Sequence, residues 1–222
     1  MNKQPVLIFD ADGVLLDSLA HACKAFNNIA DAKFPELPKV ETKEDMAHVY
    51  PGPLSSSLRR FGLNKARIKQ FFELHTSAMR EIADEVSPFD TVIDGIRKFG
   101  RGRSAIVSSA FNETILTTLG KSTFYEPGMF THIRGRETGK DKAEKIKEVL
   151  ADLGVEPDDA IYVGDTVSDI LYCKSVPIKV AAVGYGYHPV NYLAAFDPDF
   201  LFPDCPSLVS FLQDGQPARN TH

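Results

Sequence analysis

The stretch FDADGVLLDS, residues 9–18, sets Asp10 and Asp12 two positions apart, where the apolar run VLIF stops. Similar arrangements recur along the chain. SAIVSS, residues 104–109, closes on Ser108 and Ser109, and AIYVG, residues 160–164, is followed by Asp165 and Asp169 in GDTVSD. Lys140 stands just before the helical pattern that leads to that run. Aspartate and serine are common turn and cap residues, and Asp17 and Ser18 read as caps opening a helix. The remaining acids need another explanation, because converging carboxylates repel: two of them about 5 Å apart cost about 3 kcal/mol at an effective dielectric of roughly 20. A hard divalent cation removes that cost. Magnesium takes carboxylates, a backbone carbonyl and waters as ligands, whereas the acids outnumber any neighbouring His or Cys, which argues against zinc. With an ammonium and hydroxyls at a helix start beside it, such an ion makes a phosphate site.

These residues work together only if the chain brings its strand ends to one rim. Five runs are continuous rather than alternating, the pattern of strands buried on both faces. They are VLIF at 6–9, SAIVSS at 104–109, a weaker FTHIR at 130–134, AIYVG at 160–164 and IKVAAVG at 178–184. Helical patterns lie between the later runs. NETILTTLG, residues 112–120, opens on Asn112 as a cap, and DKAEKIKEVLADL, residues 141–153, lines up Ile146, Leu150 and Leu153 before Gly154 ends it. Strand and helix alternating in this way predict βαβ units and a parallel sheet, which binds ligands outside the carboxyl ends of its strands.

Residues 17–87 break that rhythm. DSLAHACKAFNNIADA, KEDMAHVY, LSSSLRRFG and KARIKQFFELHTSAMREIADEV read as helices, and Phe26, Leu58, Phe61, Ile68, Phe71, Phe72 and Ile82 as their core stripe. The expected division is an α/β core over 1–16 and 88–212, a helical insert over 17–87 and a loose tail over 213–222.

With 25 Lys and Arg against 30 Asp and Glu, the net charge of -5 offers no general attraction to nucleic acid or anionic lipid. Three scattered cysteines imply neither a disulfide framework nor a metal site, and no segment approaches the roughly 20 apolar residues of a membrane span. The expectation is a cytoplasmic protein, monomer or homodimer, with a small-molecule partner.

DADGV at 10–14, VSSA at 107–110, Lys140 and GDTVSD at 164–169 resemble, in order, the motifs of the haloacid dehalogenase superfamily of phosphohydrolases. Within it the pattern is similar to the phosphoglycolate phosphatase-like and β-phosphoglucomutase-like group. The resemblance implies a three-layer Rossmann-like core with a helical cap inserted after the first strand. It also implies Mg2+-dependent hydrolysis of a small phosphomonoester through an aspartyl-phosphate, with Asp10 as nucleophile and Asp12 as general acid and base. Magnesium would be held by Asp10, the backbone carbonyl of Asp12, Asp165 and Asp169. Ser108, Ser109 and Lys140 would bind the transferring group, the lysine also pairing with Asp10; the neighbouring Lys142 is the weaker candidate. In the cap, the break at Tyr50-Pro51-Gly52-Pro53 resembles a specificity loop, and Arg59 or Arg60 would meet an anionic substrate group. His21 is a candidate for the cleft, while His48, His75 and His132 have no informative spacing. Departures are Val14 in place of a common Thr, Ser109 in place of a common Asn, and Asp141 where a proline often follows the lysine.

Other readings share parts of this pattern. A 2-haloacid dehalogenase shares the nucleophile but typically lacks the second acid, so Asp12 argues against it. A phosphomutase of the β-phosphoglucomutase type keeps both aspartates, and phosphoglycolate, a sugar phosphate, a nucleotide and pyrophosphate all remain open as substrates. A receiver-type signalling domain is about half this length and carries its acceptor after a later strand. GRETGKD at 135–141 and GYGYHP at 184–189 both lack the spacing of nucleotide-binding loops.

Overall fold

A computed structural model describes residues 4–100 and 102–214. The chain opens with β1 (Val6–Phe9) and a short β2 (Leu16–Asp17), then runs through four helices, α1 (Leu19–Lys33), α2 (Lys43–Val49), α3 (Leu54–Ser57) and α4 (Lys65–Glu81). It returns by β3 (Ser87–Pro88) and α5 (Asp90–Gly95), and continues through β4 (Ser104–Val107), α6 (Asn112–Leu119), β5 (His132–Arg134) and α7 (Lys142–Leu153). The remainder comprises β6 (Ala160–Gly164), α8 (Val167–Ser175), β7 (Lys179–Val183), α9 (Val190–Ala194), β8 (Phe200–Phe202) and α10 (Cys205–Asp214).

Six strands form one parallel sheet in the order β5-β4-β1-β6-β7-β8. The first strand of the chain therefore lies in the middle, with Phe9 opposite Ile106 of β4 on one side and Val163 of β6 on the other. That register brings the residues following β1, β4 and β6 to one edge.

The apolar runs are continuous because both faces of the sheet are covered. Leu7 and Phe9 point to one face, where α5, α6 and α10 supply Val92, Ile93, Ile115, Leu119, Leu208 and Phe211. Val6 and Ile8 point to the other, against Ile146, Val149 and Leu150 of α7, Ile170 of α8 and Leu193 of α9. Each such side chain contributes about 1.5–3 kcal/mol relative to its exposure. The result is a three-layer α/β fold.

The helices α1 to α4 have an apolar core of their own, in which Phe71 meets the edges of Phe26 and Phe34 at centroid distances of 5.2 and 5.4 Å. Of the expected stripe, Phe26, Leu58, Ile68 and Phe71 are buried, and Phe61 and Phe72 pack partly against them. The chain leaves the sheet region through β2 and re-enters through β3, which pair antiparallel with Leu16 opposite Pro88. Tyr187, from the loop after β7, packs on this helical core from the sheet side.

Local details differ from expectation. The run at 104–109 stops being a strand at Val107, and β5 covers only the last three residues of FTHIR. β8, the three residues FLF, has no counterpart among the expected strands because it is short and follows the turn-rich FDPD. Asn112 is the first helical residue of α6 and not its cap; the Glu137 carboxylate accepts the Asn112 N–H at 2.7 Å in the cap's stead. Asp17 is exposed in β2, and the Ser18 hydroxyl makes no cap bond, because it meets the Tyr187 hydroxyl at 2.9 Å. Of the expected tail, residues 213 and 214 end α10, and 215–222 lie outside the described residues. No described helix is long and apolar enough to cross a membrane.

Candidate active site

Asp10 directly follows β1, and its backbone N–H continues the ladder to Val163 O at 2.9 Å. Its carboxylate accepts the Ala11 N–H at 2.7 Å through Oδ1 and the Lys142 ammonium through Oδ2. Burial pushes the Asp10 carboxyl up to about 6, the Lys142 charge opposing this and Asp169 adding to it. Asp12 sits in a tight turn that folds back on Ala11, whose carbonyl accepts the N–H groups of Val14, Leu15 and Leu16. Burial raises the Asp12 carboxyl as well, while a hydrogen bond from Ser18 stabilises its ionised form.

Asp165 and Asp169 flank the N-terminus of α8. Thr166 caps that helix in a reciprocal box: its hydroxyl accepts the Asp169 N–H, and Asp169 Oδ2 accepts from Thr166 N at 3.1 Å and Thr166 Oγ1 at 2.6 Å. The box turns Asp169 Oδ1 inward to the Lys142 ammonium at 2.6 Å. Although burial works against it, Lys142 holds the Asp169 carboxyl below its usual range. Asp165 Oδ2 accepts the Tyr187 N–H at 2.7 Å, and burial together with Asp169 and Asp10 raises its carboxyl well above the ordinary value. Glycines make room for it. A Cβ at Gly13, where φ is +75°, or at Gly186 would overlap the Asp165 carboxylate.

Carboxylate oxygens of Asp10, Asp165 and Asp169 all lie within 4.8 Å of one another, and all three residues are buried. Asp165 Oδ1 is buried with no hydrogen-bond partner among the described residues. A buried carboxylate oxygen without a donor is costly unless something else coordinates it. The donor set is all oxygen and strongly anionic, which fits a hard divalent cation.

Lys142, and not Lys140, is the lysine at this centre. Asp141 is the N-cap of α7 in a reciprocal box with Glu144, accepting its N–H at 2.9 Å while Glu144 Oε2 accepts the Asp141 N–H at 3.1 Å. Lys142 is thereby the first helical residue, its side chain directed between Asp10 and Asp169. Burial alone would lower its pKa, but the two carboxylates raise it well above the ordinary value and keep it charged. Lys140 lies before the cap, after the left-handed Gly139, and its exposed ammonium pairs with Glu148. The signal was in the sequence: D-x-x-E at 141–144 marks a helix start one residue after Asp141.

Ser108 is 1% exposed beyond the end of β4; its hydroxyl accepts the Ala110 N–H at 3.2 Å, and its carbonyl accepts the Lys145 ammonium at 2.6 Å. Burial, with Lys142 nearby, lowers the Lys145 pKa to about 8.

Above these groups a cavity of about 350 Å3 opens between the sheet's rim and the helical segment. Asp10, Asp12, Ser108, Ser109, Asp165 and Gly52 all line it. Arg59 does not: it is exposed on the single 3-10 turn after α3, as is Arg60, which lies 4.8 Å over the Phe61 ring. The arginines that face the cavity are Arg80 of α4 and Arg136, two residues past β5. His75 and His188 also line it, and His21 does not. These residues had no motif to announce them, because their place depends on packing between segments distant in sequence.

The fold is that of a hydrolase core, and the chain belongs to the haloacid dehalogenase-like hydrolases: the family model of that description matches residues 7–183. Asp10, Asp12, Ser108, Lys142, Asp165 and Asp169 fall inside that span, whereas Gly186, Tyr187 and His188 lie just beyond it. A curated relative is Pyrophosphatase PpaX of Halalkalibacterium halodurans, 25% identical over 212 residues, covering 93% of this chain and 95% of that protein. Among solved structures, a haloacid dehalogenase-like family hydrolase from Streptococcus pneumoniae superposes with a TM-score of 0.72 at 21% identity, covering 96% of this chain and 100% of the other. A predicted phosphoglycolate phosphatase from Haemophilus somnus gives a TM-score of 0.71 at 19% identity, covering 95% and 99%.

Proposed function

We propose that this hydrolase cleaves a small phosphate ester in two displacements, with Asp10 as the nucleophile. The observation that carries the reading is the division between the two aspartates of the first motif. Asp10 belongs to the buried cluster with Lys142, Asp165 and Asp169, whereas Asp12 lies outside that group and takes a hydrogen bond from Ser18, with both acids at the same cavity. One carboxylate is then free to attack phosphorus while the other handles protons, so that a single difficult step becomes two easier ones.

In the first displacement Asp10 would bond to phosphorus and the bond to the leaving oxygen would break, Asp12 delivering the proton that oxygen needs. In the second, Asp12 would take a proton from water as water's oxygen attacks the phosphoryl group on Asp10, releasing phosphate. Lys142 opposes the upward push of burial on the Asp10 carboxyl and would offset the charge of an incoming anion. The Ser108 hydroxyl, with the loop fixed by Lys145, would bind the transferring group. Asp10, Asp165 and Asp169 are suited to hold Mg2+, which when bound supplies positive charge beside the phosphoryl oxygens. The helical segment 17–87 would act as the cap that excludes water and selects the ester. The names of the relatives, pyrophosphatase and phosphoglycolate phosphatase, support phosphate chemistry of this kind.

The test is hydrolysis of p-nitrophenyl phosphate with magnesium. Turnover should vanish on chelation and in Asp10→Asn, and a phosphoryl adduct on Asp10 should be trapped by rapid quenching. Full turnover by the Asp10→Asn protein would refute the assignment.

A further inference from the structure

The loop past β4 is tied down from both sides. Ser108 N–H donates to the Arg134 carbonyl at 3.1 Å, Ala110 N–H donates to Ser108 Oγ at 3.2 Å, and the Ala110 carbonyl accepts the Arg136 N–H at 2.8 Å. One donor is left over. Ser109 N–H has no acceptor among the described residues, and Ser109 lines the cavity that Asp10 and Ser108 also line. The Ser108 hydroxyl accepts from Ala110 and keeps its own hydrogen for a further acceptor.

Lys145 sets the direction of that leftover donor. In a trans peptide the carbonyl and the following N–H point in opposite directions, and no peptide bond among the described residues is cis. The Lys145 ammonium draws the Ser108 carbonyl to itself at 2.6 Å, so Ser109 N–H is directed away from Lys145. Lys145 is 3% exposed and is not one of the residues that wall the cavity, whereas Ser109 is. Such a contact is costly to maintain, because the buried ammonium has no carboxylate within ion-pair distance among the described residues. Burial and then the Lys142 charge lower its pKa to about 8; Arg136 adds to the lowering, and Asp10 and Glu137 act against it.

Resting on the phosphatase reading above, we infer that Lys145 is a positioning residue for phosphoryl transfer: by holding the Ser108 carbonyl, its ammonium aims Ser109 N–H, beside the Ser108 hydroxyl, at the transferring group. Lys142 and Lys145 lie one turn apart on α7. The first orders the nucleophile through Asp10, and the second orders the phosphoryl oxygens through the peptide between Ser108 and Ser109. Donors fixed before the reaction stabilise charge that develops in the transition state without reorganising at that moment.

The experiment compares kcat/KM of the parent and Lys145→Met on p-nitrophenyl phosphate and ethyl phosphate, with magnesium present. The variant should lose about 10- to 100-fold, less than the roughly 10²- to 10³-fold of deleting such a donor outright, because the peptide stays and only its orientation is released. The loss should agree within about threefold between the two esters, which share the phosphoryl group and differ in the leaving group. As pH rises through about 8 the parent gives up the charge that the variant lacks, so the parent-to-variant ratio should shrink on the alkaline side; a side chain that only fills space would give a constant ratio. Methionine fills the same space, so the variant should melt within about 4 °C of the parent and keep the parent's magnesium-induced shift. A loss below about tenfold, a loss confined to one ester, a ratio independent of pH or a much lower melting temperature overturns the inference, and turnover by the parent leaves the phosphatase reading standing. Hydrolysis of neither ester by the parent refutes both.

Discussion

The Lys142 ammonium donates to Asp169 Oδ1 at 2.6 Å, and both side chains are withdrawn from water. This single positive charge faces three buried carboxylates, those of Asp10, Asp165 and Asp169. Fully ionised, the cluster keeps two uncompensated negative charges, the amount one divalent cation neutralises. Without the cation, proton uptake is favoured, because burial first and the neighbouring carboxylates after it raise the Asp10 and Asp165 carboxyls.

Lys142→Met should leave Asp10 and Asp169 buried without a counter-charge. Urea denaturation should show a loss of about 3–5 kcal/mol, the range for breaking a buried ion pair, together with loss of phosphatase turnover. Lys140→Met removes only an exposed pair with Glu148 and should change stability by less than about 1 kcal/mol and turnover by less than about twofold. Comparable activity losses in the two variants would contradict the assignment.

Magnesium at saturating concentration should raise the melting temperature of the native protein. At about 100 times Kd the stabilisation is about 2.7 kcal/mol. Asp165→Asn should abolish the shift, since it alters the oxygen that lacks a protein partner. Protons compete with the cation for these carboxylates, so the shift should shrink as pH falls through about 6, the Asp10 value. Calorimetry with and without magnesium reads both effects.

Asp12→Asn should discriminate by leaving group. An ethyl ester needs a proton at its departing oxygen and should slow by about 10²- to 10⁴-fold in the first displacement, whereas p-nitrophenolate leaves unaided and that step should be nearly spared. Single-turnover kinetics on the two esters measures the split, and identical losses on both would exclude the proton-transfer role.

Gly13→Ala places a Cβ onto the Asp165 carboxylate at a positive φ. Displacing that side chain should weaken magnesium binding by about tenfold or more, and backbone strain should cost about 1–3 kcal/mol of stability. Titration calorimetry of magnesium, alongside a urea melt, tests the pair of effects.

His75 provides a pH signature. Its folded pKa of about 4 lies below the ordinary 6.5, so between those values the unfolded chain binds more protons than the folded one. Stability contributed by neutral His75 is complete above pH 6.5 and is lost as pH falls toward 4. Asp10, raised to about 6, contributes a slope of opposite sign below that pH, so the informative quantity is a difference between proteins. The parent minus His75→Phe should show up to about 1.4 kcal/mol of lost stability per pH unit on acidification within that window.

Strand and helix existence was legible wherever the local pattern was strong. VLIF and AIYVG span the observed β1 and β6, and Gly154 ends α7 in a left-handed conformation. Weak or short elements escaped, because three residues such as FLF carry too little pattern to separate a strand from a loop. Asp10, Asp12 and Asp165 were legible because each lies just past a buried strand, and Asp169 because it follows in the first turn of the next helix. The lysine was legible only to within two positions: spacing to Gly154 favours Lys140, whereas the cap at Asp141 sets the start of the helix and so decides that Lys142 turns inward.

By itself the sequence determined that Asp10, Ser108 and Asp165 stand at strand ends, because continuous apolar runs can only be buried and the residues just beyond them must emerge at a rim. Tertiary structure alone decided which lysine neutralises them and which side chains wall the cavity. His75 and Arg80 of α4, Arg136 after β5 and Tyr187 after β7 come from three segments tens of residues apart, and their meeting depends on how the helical segment packs over the sheet. Periodicity reports a residue's face on its own element; it carries no information about what the facing element presents.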